Sequence, residues 1–192
     1  GRNAYQLLYF GQYKDSLNLA KLAVKINEQD EKLWLILSEA QLANKQYNNA
    51  LKSLDKAEKI NSNISDVYFA KSNIYLQISQ QKNAKASLEK GLRIEPNNHK
   101  ALFQLGNILL MEKNFLKAIS LFDKAVKIKP DFWQAINNLG LAYFEENNIN
   151  LSINFFEKAI SINENAETLL GLASCLRNKN INLALKLAKK AL

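Results

Sequence analysis

The sequence predicts an all-α fold in which antiparallel helical hairpins follow one another as an α-solenoid. The 192-residue chain is 47% hydrophobic and holds only six glycines and two prolines, a composition that disfavours turn-rich β folds. Apolar residues recur at helical spacing on either side of short polar breaks. The pattern of small residues also repeats at one constant interval, the step from Ser38 to Ser72, which fits two helices and their turns.

Residues 99–130 show the predicted hairpin most clearly. Leu102 and Leu109 share one face of a first helix, and Ala118 and Phe122 share one face of a second. A polar break separates the two helices, and a proline that cannot continue the second helix closes the stretch. The stretch therefore predicts two amphipathic helices in one hairpin.

Small residues recur in three phased series along the chain, and all three advance by the same step of thirty-four positions. The series are Ser38, Ser72, Gly106 and Gly140; Ala50, Ala84, Ala118 and Ser152; and Ala57, Gly91, Ala125 and Ala159. Where two helices cross closely, a large side chain would hold the backbones apart. The three series therefore predict the crossing points of successive helices.

This unit resembles the tetratricopeptide repeat (TPR). The matching residues are Trp34, Ser38, Ala50, Leu54 and Ala57 in one unit, then Tyr68, Ser72, Ala84, Leu88, Gly91 and Pro96, then Leu102, Gly106, Ala118, Phe122, Ala125 and Pro130, then Ile136, Gly140, Ser152, Phe156 and Ala159. The resemblance implies a right-handed α-solenoid of antiparallel helix-turn-helix units. It divides one domain, 1–192, into a partial repeat 1–30, repeats 31–64, 65–98, 99–132 and 133–166, and a truncated hairpin 167–192, with both end units open to self-association.

The resemblance also implies a concave surface, lined by the first helix of each repeat, that takes an extended peptide or a partner helix. Carried onto this sequence, the surface consists of Phe69, Asn73, Leu76, Gln77, Lys100, Phe103, Asn107, Leu110, Met111, Gln134, Asn137, Asn138, Leu141 and Phe144. The pairs Phe69/Asn73 and Phe103/Asn107 each place an aromatic ring and an amide one helical turn apart. Because amides both donate and accept hydrogen bonds, these pairs suit an extended peptide backbone.

Charge alone does not make this chain a nucleic-acid binder, although its formal net charge is +8. The lysines of the predicted second helices follow acids, and Asp55 and Asp123 precede Lys59 and Lys127 by four residues, the favoured order for helical ion pairs. The sequence therefore predicts a solvated outer face and no specific nucleic-acid partner.

No catalytic, cofactor or metal motif stands out in the sequence. One histidine, His99, and one cysteine, Cys175, exclude an internal disulfide and a His/Cys zinc site. No apolar run reaches the roughly 20 residues that a membrane-spanning helix needs. The sequence predicts a cytoplasmic, non-catalytic interaction module or scaffold without cofactor or metal. Two alternatives stay open: a solenoid that self-associates through its ends, and the docking arm of a larger enzyme.

Overall fold

The computed structural model describes residues 2–192, and over that range it contains twelve α-helices and no β-strand. The helices are α1 (Arg2–Tyr9), α2 (Tyr13–Ile26), α3 (Glu31–Ala43), α4 (Tyr47–Ile60), α5 (Ser65–Gln77), α6 (Gln81–Ile94), α7 (His99–Met111), α8 (Phe115–Ile128), α9 (Trp133–Glu145), α10 (Ile149–Ile162), α11 (Ala166–Leu176) and α12 (Ile181–Ala191). The predicted all-α fold of helix-turn-helix units is confirmed.

The turn within each of the first five hairpins has the same backbone conformation at one residue. A residue with positive φ follows the first helix at Gly11, Lys45, Ser79, Lys113 and Asn147, and these positions advance by the same step as the small residues. In the last four of these turns the next amide donates to the carbonyl five residues back, at 2.8 Å. This hydrogen bond satisfies a carbonyl at the end of the first helix, so one turn geometry recurs although only one of the five residues is glycine.

The predicted crossing points are confirmed as sites of close contact. A Cβ added at Gly106 or Gly140 would lie within 2.9 Å of the ring of Phe122 or Phe156, respectively. Phe122 is completely buried, which stabilises its hairpin by about 2–3 kcal/mol relative to an exposed ring. The small residues that open the second helices, among them Ala118, are likewise fully buried.

The chain forms two compact units, Gly1–Pro96 with α1–α6 and Asn97–Leu192 with α7–α12. The first unit contains one apolar cluster around Val24 and Leu37 and another around Leu54. In the second unit, Phe156 and Leu172 lie at the centre of a cluster between α10 and α11. That all the hairpins belong to one domain stays a prediction.

The junction between α4 and α5 in the first unit adds ion pairs to an apolar cluster of Leu54, Val67 and Ile74, whereas the preceding junction between α2 and α3 places the apolar Val24 and Leu37 at the equivalent positions. Lys71, whose side chain is only 10% exposed, forms ion pairs with Asp55 at 2.6 Å and with Glu58. Lys90 reaches Glu58 from α6 at 3.5 Å and lies over the ring of Tyr68. A cavity of about 180 Å³ adjoins these side chains.

Two of the predicted helical ion pairs have different outcomes. Asp123 and Lys127 pair within α8 at 2.6 Å, as predicted. Asp55 pairs with Lys71 on the next helix, so the predicted partner Lys59 is wrong. The cause is the depth of Lys71: a nearly buried ammonium group needs counter-charges more than an exposed lysine does.

Candidate binding surface on the first helices

In the first unit, the residues predicted for the surface lie on α5. Asn73 and Gln77 are exposed, whereas Phe69 and Leu76 are half-buried. The ring of Phe69 occupies the space that a Cβ on Gly91 of α6 would need. Phe69 therefore packs within its own hairpin and offers only part of its ring to a ligand.

In the second unit, the residues predicted on α7 divide in the same way. Lys100 and Met111 are exposed, and Phe103, Asn107 and Leu110 are half-buried. The ring centroid of Phe103 lies 4.9 Å from that of Phe132 and 5.9 Å from that of Phe122. Like Phe69, Phe103 is committed in large part to packing within its unit.

The residues predicted on α9 include one that the structure buries. Gln134, Asn138, Leu141 and Phe144 are half-buried, so each retains an exposed portion. Asn137 is only 3% exposed. The assignment of these residues to a ligand surface stays a prediction, and for Asn137 direct contact with a ligand would need its side chain to move.

Hydrogen bonds join the amides of α7 and α9 to a carboxylate on α11. Nδ2 of Asn138 donates to Oδ1 of Asn107 at 2.7 Å. Nδ2 of Asn137 donates to Oδ1 of Asn138 at 3.3 Å and to Oε1 of Glu167 at 3.2 Å. We call Asn107, Asn138, Asn137 and Glu167 the amide chain. It connects three successive first helices of the second unit.

The amide chain leaves one buried acceptor without a donor. Oδ1 of Asn137 is inaccessible and has no hydrogen-bond partner among the described residues. Exchanging the amide oxygen and nitrogen would turn this oxygen toward two other acceptors, Oδ1 of Asn138 and the Glu167 carboxylate, so the orientation shown is the favourable one. An unsatisfied buried acceptor costs about 1–3 kcal/mol, which the fold tolerates at this position.

Glu167 is the member of the amide chain that sequence reasoning missed. It lies in the first turn of α11, whose N-cap Asn165 accepts a hydrogen bond from the Thr168 amide. The sixth hairpin runs one residue out of phase with the others, so Glu167 arrives one position before the repeat step from Gln134 would place it. Aligning Ala173 with Gly140 would have matched Glu167 to Gln134 and Lys100 of the predicted surface.

The charges around the amide chain leave Glu167 without a cationic partner. Glu164, three residues earlier, accepts from Lys190 at 2.5 Å. No lysine, arginine or histidine among residues 2–192 lies within ion-pair distance of Glu167. A helix N-terminus favours a negative charge, so the position suits an ionised carboxylate.

The first unit also has an acidic feature on its first helices. Partial burial, and then the negative charge of Asp66, raise the pKa of the Glu39 carboxyl on α3. Asp66 lies in the first turn of α5, the next first helix. The two carboxyl groups therefore act on each other across neighbouring repeats.

The described residues show no arrangement typical of a metal or catalytic centre. No group of three His, Cys, Asp or Glu side chains within residues 2–192 is placed to hold a metal ion. Cys175 is buried, with Sγ 3.1 Å from Oγ of Ser152, and burial raises the pKa of its thiol. No described helix is both long and apolar enough to cross a membrane.

Comparison with family models matches tetratricopeptide repeats at residues 31–64, 65–98, 99–132 and 134–165. The chain belongs to the tetratricopeptide repeat family. Membership indicates a role in protein–protein interaction or assembly, and members are generally non-catalytic interaction modules. No curated protein matches the chain.

Several solved structures share the fold at low sequence identity. PilW, described as a widely conserved type IV pilus biogenesis factor, aligns with a TM-score of 0.82 at 17% identity over 98% of this chain and 89% of its own. YrrB, a TPR protein with an unusual peptide-binding site, aligns at 0.80 and 21% identity over 90% of each chain. MamA from Desulfovibrio magneticus RS-1 aligns at 0.74 and 21% over 84% and 91%. These similarities support the TPR fold.

Proposed function

We propose that the chain is a non-catalytic interaction module whose first helices bind an extended segment of another protein. The observation that carries this proposal is the amide chain, which places hydrogen-bonding groups on three successive first helices of the second unit. Nδ2 of Asn107 has no protein partner among the described residues, so the amide chain has a donor available for a peptide carbonyl.

Apolar surface beside the amides supports the same proposal. Leu110 and Phe144 are half-buried on α7 and α9, and Met111 is 64% exposed. Peptide grooves combine main-chain hydrogen bonds with contacts to apolar side chains. The peptide-binding site described for YrrB, which has the same fold, also favours a peptide ligand.

A display library of random twelve-residue peptides, selected on the full chain, tests the proposal. The dissociation constant of an enriched peptide is then measured by fluorescence anisotropy for the double variant Asn107→Ala/Asn138→Ala. We expect binding to weaken at least about tenfold, since two side-chain hydrogen-bonding groups are lost. Asn154→Ala removes an exposed amide from the second helix α10 and is the matched control, with an expected change below about twofold.

Two results would contradict the proposal. Enrichment of no peptide in repeated selections would count against a peptide ligand altogether. Equal loss of affinity in the Asn107→Ala/Asn138→Ala variant and in the Asn154→Ala control would place the binding surface elsewhere. Circular dichroism of each variant establishes that the helices remain intact.

Self-association is a second candidate, favoured by exposed apolar residues in both end hairpins. Tyr9 and Ile26 in the first hairpin are each 86% exposed. In the last hairpin Leu170, Ile181 and Leu185 line an apolar groove of about 220 Å³. Light scattering over a hundredfold range of concentration tests this candidate. A constant monomer mass would exclude it, and a mass that rises with concentration would support it.

A further inference from the structure

The amide chain has more acceptors than donors at its α11 end. Oδ1 of Asn137 lacks a donor, and Glu167 receives a hydrogen bond from Asn137 at only one of its carboxylate oxygens. At the α7 end the reverse holds, because Nδ2 of Asn107 is a donor without a protein partner among the described residues. The amide chain therefore offers a ligand a hydrogen-bond donor at its Asn107 end and acceptors at its Glu167 end.

We propose that the α11 end of the amide chain is a subsite for the basic side chain, Lys or Arg, of an extended segment whose backbone carbonyl accepts from Asn107. The proposal rests on the proposed function of the first helices and specifies the chemistry of the ligand. Lys and Arg are the side chains that donate several hydrogen bonds and accept none, and Glu167 has a carboxylate oxygen that receives no hydrogen bond from Asn137. An acidic side chain or a terminal carboxylate at this end would be repelled by Glu167.

The charge environment favours a cation from outside the chain. Lys190 is already paired with Glu164, and no cation among residues 2–192 is paired with Glu167. Arg suits the subsite especially well, because its planar fork binds a carboxylate through two parallel hydrogen bonds.

The length of the ligand follows from the spacing of the helices. Packed helices lie about 8–10 Å apart, so α7 and α11 are separated by roughly 16–20 Å. An extended chain covers about 3.3 Å per residue, which makes the binding segment about five or six residues long. The basic residue and the carbonyl that accepts from Asn107 should stand at opposite ends of that segment.

The peptides selected from the random library test this subsite. We expect Lys or Arg to be enriched at one fixed position in the wild-type selection. Glu167→Gln should abolish that positional enrichment and weaken an enriched basic peptide about threefold to fivefold, since Glu167 is exposed and solvent screens its pairing, while Glu167→Lys should shift the enrichment to Asp or Glu. Glu164→Gln removes a carboxylate that is already paired with Lys190, and is the matched control that should retain the basic preference.

A second variant separates the subsite from a general effect on folding. Asn137→Leu removes the orphan acceptor and introduces the residue type found at the equivalent position 35. We expect this variant to unfold at a higher urea concentration than wild type and yet to bind the basic peptide several-fold more weakly.

The outcomes distinguish this inference from the proposed function. Peptides that are enriched without a basic position, or with a basic position that survives Glu167→Gln, would overturn the subsite and leave the proposed function standing. Unchanged or tighter binding of the basic peptide by Asn137→Leu would remove Asn137 from the subsite. A selection that enriches no peptide would overturn both.

Discussion

The junctions α2/α3 and α4/α5 of the first unit occupy equivalent repeat positions and both contain an apolar cluster, but one pair of positions has opposite chemistry in the two junctions. At α2/α3, Val24 and Leu37 belong to one apolar cluster. One repeat later the same two positions hold Glu58 and Lys71, which form an ion pair at the α4/α5 junction. Both residues of the contact differ between the two repeats, and changing either one alone would leave a charge facing an apolar side chain.

The third hairpin contains a second paired exchange of this kind. Leu35 and Ala57 of the preceding hairpin correspond to Phe69 and Gly91, and the ring of Phe69 fills the space where the Cβ of an alanine would lie. In both cases the repeat geometry is kept while the residues that maintain it change. A residue type that looks wrong for its repeat position should therefore be judged together with the residue it contacts.

The largest effect is expected from removing the counter-charges of Lys71. In Asp55→Asn/Glu58→Gln the ammonium group stays nearly buried and loses both ion-pair partners. We expect the free energy of unfolding to fall by about 3 kcal/mol, measured by urea denaturation. Glu89→Gln changes the exposed acid at the position equivalent to Asp55 and is the control. A loss below about 1 kcal/mol in the double variant would mean that Lys71 reaches solvent easily.

A somewhat smaller effect is expected from restoring alanine at Gly91. The new methyl group would meet the ring of Phe69, and overpacking of this kind costs about 1–3 kcal/mol. The double variant Phe69→Leu/Gly91→Ala restores the pair of the preceding hairpin and should recover most of that loss. Thermal unfolding followed by circular dichroism measures both variants. Equal melting temperatures for the single and double variants would contradict the pairing of these two residues.

A gain in stability is expected when the two ion-paired positions of α4/α5 are made apolar like their equivalents at α2/α3. Glu58→Leu/Lys71→Leu replaces the ion pair with two apolar side chains and should raise the free energy of unfolding by about 1 kcal/mol. The single variant Lys71→Leu should lower it, because it leaves Glu58 beside a leucine. A double-mutant cycle in urea gives the coupling energy, and additive effects would show that the two side chains act independently.

Sequence periodicity predicted the helices and their crossing points because these depend on residue size at fixed spacing. It missed the pairing of Asp55 with Lys71, since that pairing depends on how deeply a lysine on another helix is buried. It also missed Glu167, because the sixth hairpin is out of phase by one residue. Asn137 was placed correctly on α9, but its burial and its hydrogen bond to Glu167 of the next repeat could not be predicted from a single repeat.

The smallest expected effect is a dependence of stability on pH. It should arise at α4/α5, where Glu58 and Lys71 are charged, and not from the apolar Val24 and Leu37 at α2/α3. Burial alone would raise the pKa of Glu58, but the hydrogen bond and charge of Lys71, with a contribution from Lys90, hold that pKa below its usual value. Burial alone would lower the pKa of Lys71, but the hydrogen bonds and charges of Asp55 and Glu58 raise it.

The sign of each contribution to stability follows from these directions. The lowered pKa of Glu58 stabilises the fold above about pH 4.3, and this contribution is lost as pH falls through the folded-state value. The raised pKa of Lys71 stabilises it below about pH 10.4 and is lost as pH rises through the folded-state value. Burial and the charge of Glu58 also raise the pKa of Tyr68, which adds to the alkaline loss.

Urea denaturation at pH 7, 3.5 and 11 should therefore show a larger loss for wild type than for Glu58→Leu/Lys71→Leu at both extremes. We expect the difference to stay under about 1 kcal/mol on the acid side, because Glu58 keeps contact with solvent that screens its pairing. Parallel pH profiles for the two proteins would mean that the charges at α4/α5 are neutral for stability. In that event the junction would differ from α2/α3 in its residues but not in its energetics.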